Sequence, residues 1–308
     1  MPKPIVMDVD TGIDDALAIL YAIAHPDLEL LGISCVAGNA AIDQVVINTC
    51  KVLDAADADD IPVAAGAREP LIERARRKGG GSHGPNGLGG IQLPDSARRP
   101  SQLHAVELLQ QLVMASPEPV SLVTLAPKTN VALLLTRYPD VTERIGQIIF
   151  VGGSVNQDAE FNVWQDPEAA ASVIESSIPT LMYGLHLFDR LLVDQAHIDR
   201  LRGHDHPAMR LAGDLLNVRR AGHNGPNHNF GLLGDAGALV LLTNPDHFGI
   251  EDRPVRVELQ GAGRGQTIVD RGATLHHQSW PRVRVVLDLD VAKAASAFVE
   301  MIESYAPS

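Results

Sequence analysis

The sequence predicts an α/β fold: a single domain over residues 1–308, with a mostly parallel central sheet flanked by helices and active-site loops at the strands' carboxyl ends. Three observations carry this expectation. Short apolar runs of strand length alternate with stretches of helical periodicity along most of the chain. Polar or glycine-rich residues recur where the apolar runs end, at Asp8-Val9-Asp10, Gly38-Asn39 and Gly152-Gly153. No composition break, internal repeat or low-complexity segment divides the chain.

In order, Ile5 to Met7 read as a first strand, closed by a turn at Thr11-Gly12. Ala16, Leu17, Ile19, Leu20 and Ile23 recur at helical spacing, so a helix begins near Asp14. Leu28 to Val36 is a second strand, residues 41–57 a helix, and Ile61 to Ala65 a third strand. Residues 102–115 form a helix, Val120 to Ala126 a strand, Lys128 to Tyr138 a helix, and Ile145 to Val151 a strand. Asp166-Pro167-Glu168 opens a further helix, and Thr180 to Leu185 is a later strand. Residues 236–242 are helix-like, residues 255–289 strand-rich, and residues 291–304 an amphipathic terminal helix. Such alternation implies right-handed crossovers onto a parallel sheet.

The chain has 308 residues and a formal net charge of −13, which argues against nucleic acid or an anionic membrane as its main partner. Cys35 and Cys50 are its two cysteines, too few for a disulfide framework or a Cys/His zinc cluster. The N-terminus carries no signal-peptide pattern, and no apolar run is long enough to span a bilayer. A reducing cytoplasm is the expected compartment.

The chemistry concentrates in Asp8, Asp10, Asp14 and Asp15, four carboxylates where a strand ends and a helix begins. Helix capping explains one or two of them. Four so close repel one another unless a cation or a set of donors holds them, and calcium or magnesium favours such oxygen ligands. Asp235 could add another ligand, although alone it reads as the N-cap of helix 236–242. In Glu160-Phe161-Asn162, a carboxylate and an amide at alternate positions of extended chain point the same way. That suits a polyhydroxyl ligand such as a sugar; a solvated loop before a helix capped by Asp166 explains it equally well. Asn39 lies at a strand's carboxyl end, and His83 stands in a glycine-rich stretch, residues 79–90, that reads as a mobile lid. The residues alone leave two classes open: a metal-dependent hydrolase of a sugar-containing molecule, and a non-catalytic metal or sugar receptor.

Read together, Asp8-Val9-Asp10-Thr11-Gly12-Ile13-Asp14-Asp15-Ala16 closely resembles the N-terminal signature of the inosine–uridine-preferring nucleoside hydrolase family. The resemblance continues through Val36-Ala37-Gly38-Asn39, His83-Gly84-Pro85-Asn86-Gly87-Leu88, Leu125-Ala126-Pro127-Lys128-Thr129-Asn130 and Ala159-Glu160-Phe161-Asn162 to Thr267-Ile268-Val269-Asp270-Arg271. It implies calcium-dependent hydrolysis of the N-glycosidic bond of a ribonucleoside to ribose and free base, by a homodimer or homotetramer. Asp10, Asp15, Asp235 and the Leu125 carbonyl would then bind Ca2+, with Asp10 also the general base toward a calcium-bound water. Asp14, Asn39, Glu160 and Asn162 would hold the ribose hydroxyls, with Asn156 and His83 beside them.

Three departures from the family pattern stand out. Gly234 precedes Asp235 where the family often has a histidine assigned to leaving-group protonation. Gly184-Leu185-His186 replaces a Gly-Leu-Asp motif, and the linker from Gly153 to Glu160 is short. The loop 221–230 offers His223 and His228 as replacement acids. Asp8-Val9-Asp10-Thr11 also fits a haloacid-dehalogenase phosphatase motif, but that leaves Asp14 and Asp15 unexplained and finds no second carboxylate beside Asp235. A calcium-dependent ribose-binding homologue without catalysis is the other alternative.

Overall fold

Residues 1–72, 82–156, 158–221, 230–270, 272 and 279–306 are described by the computed structural model, the side chains of 219–221 excepted. The chain enters the sheet with β1 (Lys3–Val9), crosses through α1 (Ile13–Ala24) to β2 (Leu28–Cys35), and through α2 (Ile42–Ala55) to β3 (Val63–Ala65). It then returns past β1: α3 (Ala105–Ala115), β4 (Val120–Thr124), α4 (Thr129–Arg137), β5 (Ile145–Val151), α5 (Phe161–Gln165), α6 (Pro167–Ile174), β6 (Thr180–Tyr183). A small antiparallel pair, β7 (Leu192–Asp194) and β8 (Phe230–Leu232), brackets α7 (Gln195–Arg202) and α8 (Pro207–Ala221). The chain ends with α9 (Ala236–Thr243), β9 (Phe248–Val257), β10 (Thr267–Val269), β11 (Arg282–Leu289) and α10 (Val291–Glu303).

The main sheet runs β10-β9-β11-β6-β5-β4-β1-β2-β3, parallel from β11 to β3, with β9 antiparallel to both its neighbours. Successive residues of β1 serve opposite faces: Ile5, Met7 and Val9 join one hydrophobic core, and Val6 the other. Both faces are therefore covered, which is why these strands read as continuous apolar runs. The chain turns back between β1 and β4, and the crevice outside the carboxyl ends of those strands is the ligand position of doubly wound sheets.

The structure differs from the sequence expectation in three places. Helices α7 and α8 and the β7–β8 pair were not anticipated. β9 starts at Phe248, seven residues before the stretch expected to be strand-rich. Glu160 is itself extended, but it caps α5, and Phe161 and Asn162 lie within that helix, so the two side chains do not alternate along an extended chain. Of the glycine-rich stretch expected to be a lid, residues 79–81 lie outside the described residues. Asn86 is docked, its carbonyl accepting from Asn48 Nδ2 at 3.0 Å.

Candidate active site

The carboxyl end of β1 lies between β2 and β4, so Asp8 and Asp10 open onto the crevice from the middle of the sheet. Asp8 is wholly buried, and one of its oxygens accepts from Ser34 Oγ at 2.6 Å and Asn130 Nδ2 at 2.9 Å. Burial pushes its pKa up to about 6 against the pull of those bonds. Asp8 thus belongs to the supporting floor, whereas the sequence counted it among the oxygen suppliers. Asp10 Oδ2 accepts the Asn39 N–H at 2.6 Å. Gly38 permits this approach, since a β-carbon there would lie 2.0 Å from the same oxygen. The other oxygen, Asp10 Oδ1, is buried with no hydrogen-bond partner among the described residues.

Helix α1 opens with Gly12 at its N-cap, and Asp15 three residues on accepts the Gly12 N–H at 2.8 Å and the Asp10 N–H at 3.2 Å. This is the acidic half of a capping box. The same carboxylate meets Asp14 and Asp235, and one oxygen from each of the three lies within 4.8 Å of the others. Asp235 stands at the N-cap of α9 yet makes no capping bond with its side chain, so capping does not account for it. The expected ligand set paired Asp15 and Asp235 with Asp10; the tightest grouping pairs them with Asp14 instead.

Such crowding has electrostatic consequences. Burial, then the charge of Asp15, hold Asp10 well above the ordinary carboxylate range, and burial with Asp14 pushes Asp15 to about 7. Asp235 is raised by burial and by the charges of Asp14, Asp15 and Asp10. A group like this retains protons or takes a cation in their place. An all-oxygen donor set with one buried carboxylate oxygen unpartnered fits a hard divalent ion.

Leu125 follows β4, and Glu160 and Asn162 follow β5, on one side of the crevice; Asn39 follows β2 on the other. The Leu125 N–H donates to the Asp8 carbonyl at 2.8 Å, and the Leu125 carbonyl accepts from Asn162 Nδ2 at 2.6 Å. Glu160 is buried and accepts three backbone N–H groups, from Gly153 and Asn162 at 2.9 Å and Val163 at 3.1 Å. Asn39 Nδ2 reaches Asp15 Oδ2 at 3.4 Å. His83 Nδ1 accepts the Ile13 N–H at 3.0 Å and lies 3.6 Å from Asp14 Oδ1, so a neutral ring carries its proton on Nε2. Asn156 is exposed in the turn after β5. His223 and His228 lie outside the described residues.

Two residues escaped the sequence reading. Asn130 bridges strands, donating to both Asp8 and the Cys35 carbonyl at 2.9 Å. Lys128 is wholly buried under the crevice, with its pKa lowered by burial to about 8 although Glu160, Asp8, Asp235 and Asp10 hold it up. Nothing in one sequence separates such a lysine from a surface one.

Comparison with known proteins gives the family. The sequence model of the inosine-uridine preferring nucleoside hydrolase family matches residues 5–296. A pyrimidine-specific ribonucleoside hydrolase, RihA, of Enterobacter sp. (strain 638) is 36% identical over 298 residues, covering 94% of each chain. Among solved structures, an inosine-guanosine nucleoside hydrolase superposes with a TM-score of 0.89 at 27% identity, covering 98% of this chain and 99% of that one. A purine-preferring ribonucleoside hydrolase from Gardnerella vaginalis gives a TM-score of 0.88 at 26% identity, with the same coverage. A doubly wound sheet, a buried acidic cluster at its turning point and a family match over nearly the whole chain converge: this protein belongs to the inosine-uridine preferring nucleoside hydrolase family and is an enzyme of the nucleoside N-ribohydrolase class.

Proposed function

We propose that the enzyme, acting as one catalytic domain, hydrolyses the N-glycosidic bond of ribonucleosides to ribose and free base, and that it needs Ca2+ to do so. The observation that carries the reading is the Asp14–Asp15–Asp235 grouping with the unpartnered Oδ1 of Asp10 buried at the same strand end. In this reading Asp10, Asp15, Asp235 and the Leu125 carbonyl hold the ion. Asp14, Asn39, Glu160 and Asn162 take the ribose hydroxyls, with His83 and Asn156 at the rim.

Cleavage of such a bond passes through an oxocarbenium-like state, so the water must be deprotonated as it arrives and the sugar held still. The bound cation supplies a Lewis acid that eases deprotonation of the attacking water. Asp10 Oδ1 takes that proton while Oδ2 stays tied to the Asn39 N–H, which fixes the direction of the carboxylate. His223 or His228 protonates the departing base, taking the part of the histidine absent at Gly234. A homodimer or homotetramer in a reducing cytoplasm completes the reading, in keeping with the free and buried Cys35 and Cys50; among the described residues no helix is long and apolar enough to cross a membrane.

The test is ribose release from a panel containing both pyrimidine and purine ribonucleosides, because the relatives' names divide between those bases. Release from at least one ribonucleoside supports the proposal. Calcium-dependent ribose binding with no release from any of them would favour the non-catalytic receptor.

A further inference from the structure

Lys128 is among the largest wholly enclosed side chains of the protein, and it is a cation. A buried ammonium is costly unless charge and hydrogen bonds compensate it. Both do so here. Its Nζ donates to the carbonyls of Ala126 at 2.5 Å and Val151 at 2.6 Å, reaches that of Thr124 at 3.4 Å, and lies 4.6 Å from the centre of the Phe150 ring. Thr124 ends β4, Val151 ends β5, and Ala126 follows Leu125. One ammonium therefore ties two neighbouring strand ends together, with the Leu125 carbonyl between two of its anchor points.

Carbonyls alone do not call for a full charge; the surroundings do. The anchor points adjoin two buried carboxylates: Thr124 Oγ1 donates to Asp8 Oδ2 at 3.5 Å, and the Gly153 N–H, two residues past Val151, donates to Glu160 Oε2 at 2.9 Å. The charges of Glu160, Asp8, Asp235 and Asp10 all favour the ammonium. Asp14 and Asp15 add to the same acidic floor. The proposed reaction gives the lysine no proton to move, so its burial needs another explanation.

We propose that Lys128 is the acidic floor's own counter-ion, a positioning residue that holds the ends of β4 and β5 in place while no metal is bound and weakens the site's hold on a divalent cation when one arrives. The second half rests on the metal reading above; the first does not. An isolated cluster of buried carboxylates would push its strand ends apart, and the fixed ammonium opposes that repulsion. The same positive charge then repels an incoming cation, keeping exchange possible where all-oxygen sites of this charge bind tightly.

The experiment compares wild type, Lys128→Met, Asp8→Asn and the double variant, each freed of metal with chelator at pH 7.5. Asp8→Asn removes one buried negative charge while keeping the shape and the oxygen that accepts from Ser34 and Asn130. Thermal unfolding is read first, then Ca2+ binding by calorimetry. The expected result is that Lys128→Met lowers the Tm of the metal-free protein by several degrees, and by less once Ca2+ is present. Asp8→Asn should restore part of that loss, and Ca2+ should bind Lys128→Met about five- to tenfold more tightly than wild type. A packing role would not respond to a carboxylate removed elsewhere, so additive effects of the two substitutions would overturn the proposal. So would unchanged or weaker Ca2+ binding by Lys128→Met. If Lys128→Met does not fold, folded protein from the double variant supports the counter-ion, and failure of both overturns it. If wild type binds no Ca2+ at all, the metal reading is what fails, and the metal-free cycle still decides whether Lys128 is a counter-ion.

Discussion

Asp14 occupies the space where a side chain at position 234 would begin: a β-carbon on Gly234 would lie 2.4 Å from Asp14 Oδ2, at a backbone φ of +52°. The histidine missing from this position therefore cannot be restored by substitution alone, because Asp14 and the left-handed backbone both depend on glycine. Gly234→Ala should displace Asp14 and lower kcat/KM by about 10–100-fold, the scale of a misplaced positioning group. Gly234→His should be worse rather than better. Steady-state kinetics check this, and a gain of activity in Gly234→His would refute it.

Glu160 and Asn162 should part company under substitution. By the family resemblance both would hold ribose hydroxyls. The structure gives Glu160 two backbone N–H partners in the first turn of α5 and a third at Gly153, so Glu160→Ala removes a helix cap as well as the proposed ribose contact. Its cost to stability should be about 1–3 kcal/mol, whereas Asn162→Ala, which loses one bond to the Leu125 carbonyl, should melt near wild type. Both variants should show a large fall in kcat/KM. Equal melting temperatures for the two would contradict the capping role.

The metal-free protein should be less stable at pH 7.5 than at pH 5. Asp8 titrates near 6 and Asp15 near 7 in the folded chain, each from an ordinary value of 3.8. Between about pH 4 and 7 the folded state thus binds more protons than the unfolded one, so stability falls as pH rises through that window. Saturating Ca2+ should reverse the trend, since it binds the deprotonated cluster. Melting curves at the two pH values, with chelator and with Ca2+, test both signs; a flat profile with chelator would show that burial does not raise these groups.

The leaving-group acid is open to a substrate test. A nitrophenyl riboside departs without needing a proton, so His223→Ala, His228→Ala and their combination should spare it. On natural nucleosides the loss should be about 10²–10⁴-fold in whichever variant removes the acid. Wild-type rates on natural nucleosides in all three would end the assignment.

Much of this was legible from residues alone, for reasons the structure makes plain. β5 was expected over Ile145–Val151 and is found there, because a strand covered on both faces is an unbroken apolar run. The crowding of Asp8, Asp10, Asp14 and Asp15 pointed to a cluster that capping could not absorb, and the structure brings Asp14 and Asp15 together with Asp235 in a buried acidic group that could hold a metal. Helix α7 was missed because Ile198 and Leu201 alone are buried in an otherwise polar Gln195–Arg202. The start of α5 at Phe161 was missed because glutamate is not a favoured N-cap, and the role of Glu160 also depends on the Gly153 N–H across the loop. Lys128 was invisible since its meaning lies in carbonyls and carboxylates brought together from the ends of β1, β4 and β5 and the caps of α5 and α9.

Metal-dependent cleavage at the Asp10–Asp15–Asp235 floor is tested most directly by ribose release from ribonucleosides, using protein whose metal content is measured before and after chelation. The expected result is loss of activity as the metal leaves, recovery on adding Ca2+, and neither metal nor activity in Asp10→Ala and Asp15→Ala. Full activity in wild-type protein shown to contain no metal would contradict it.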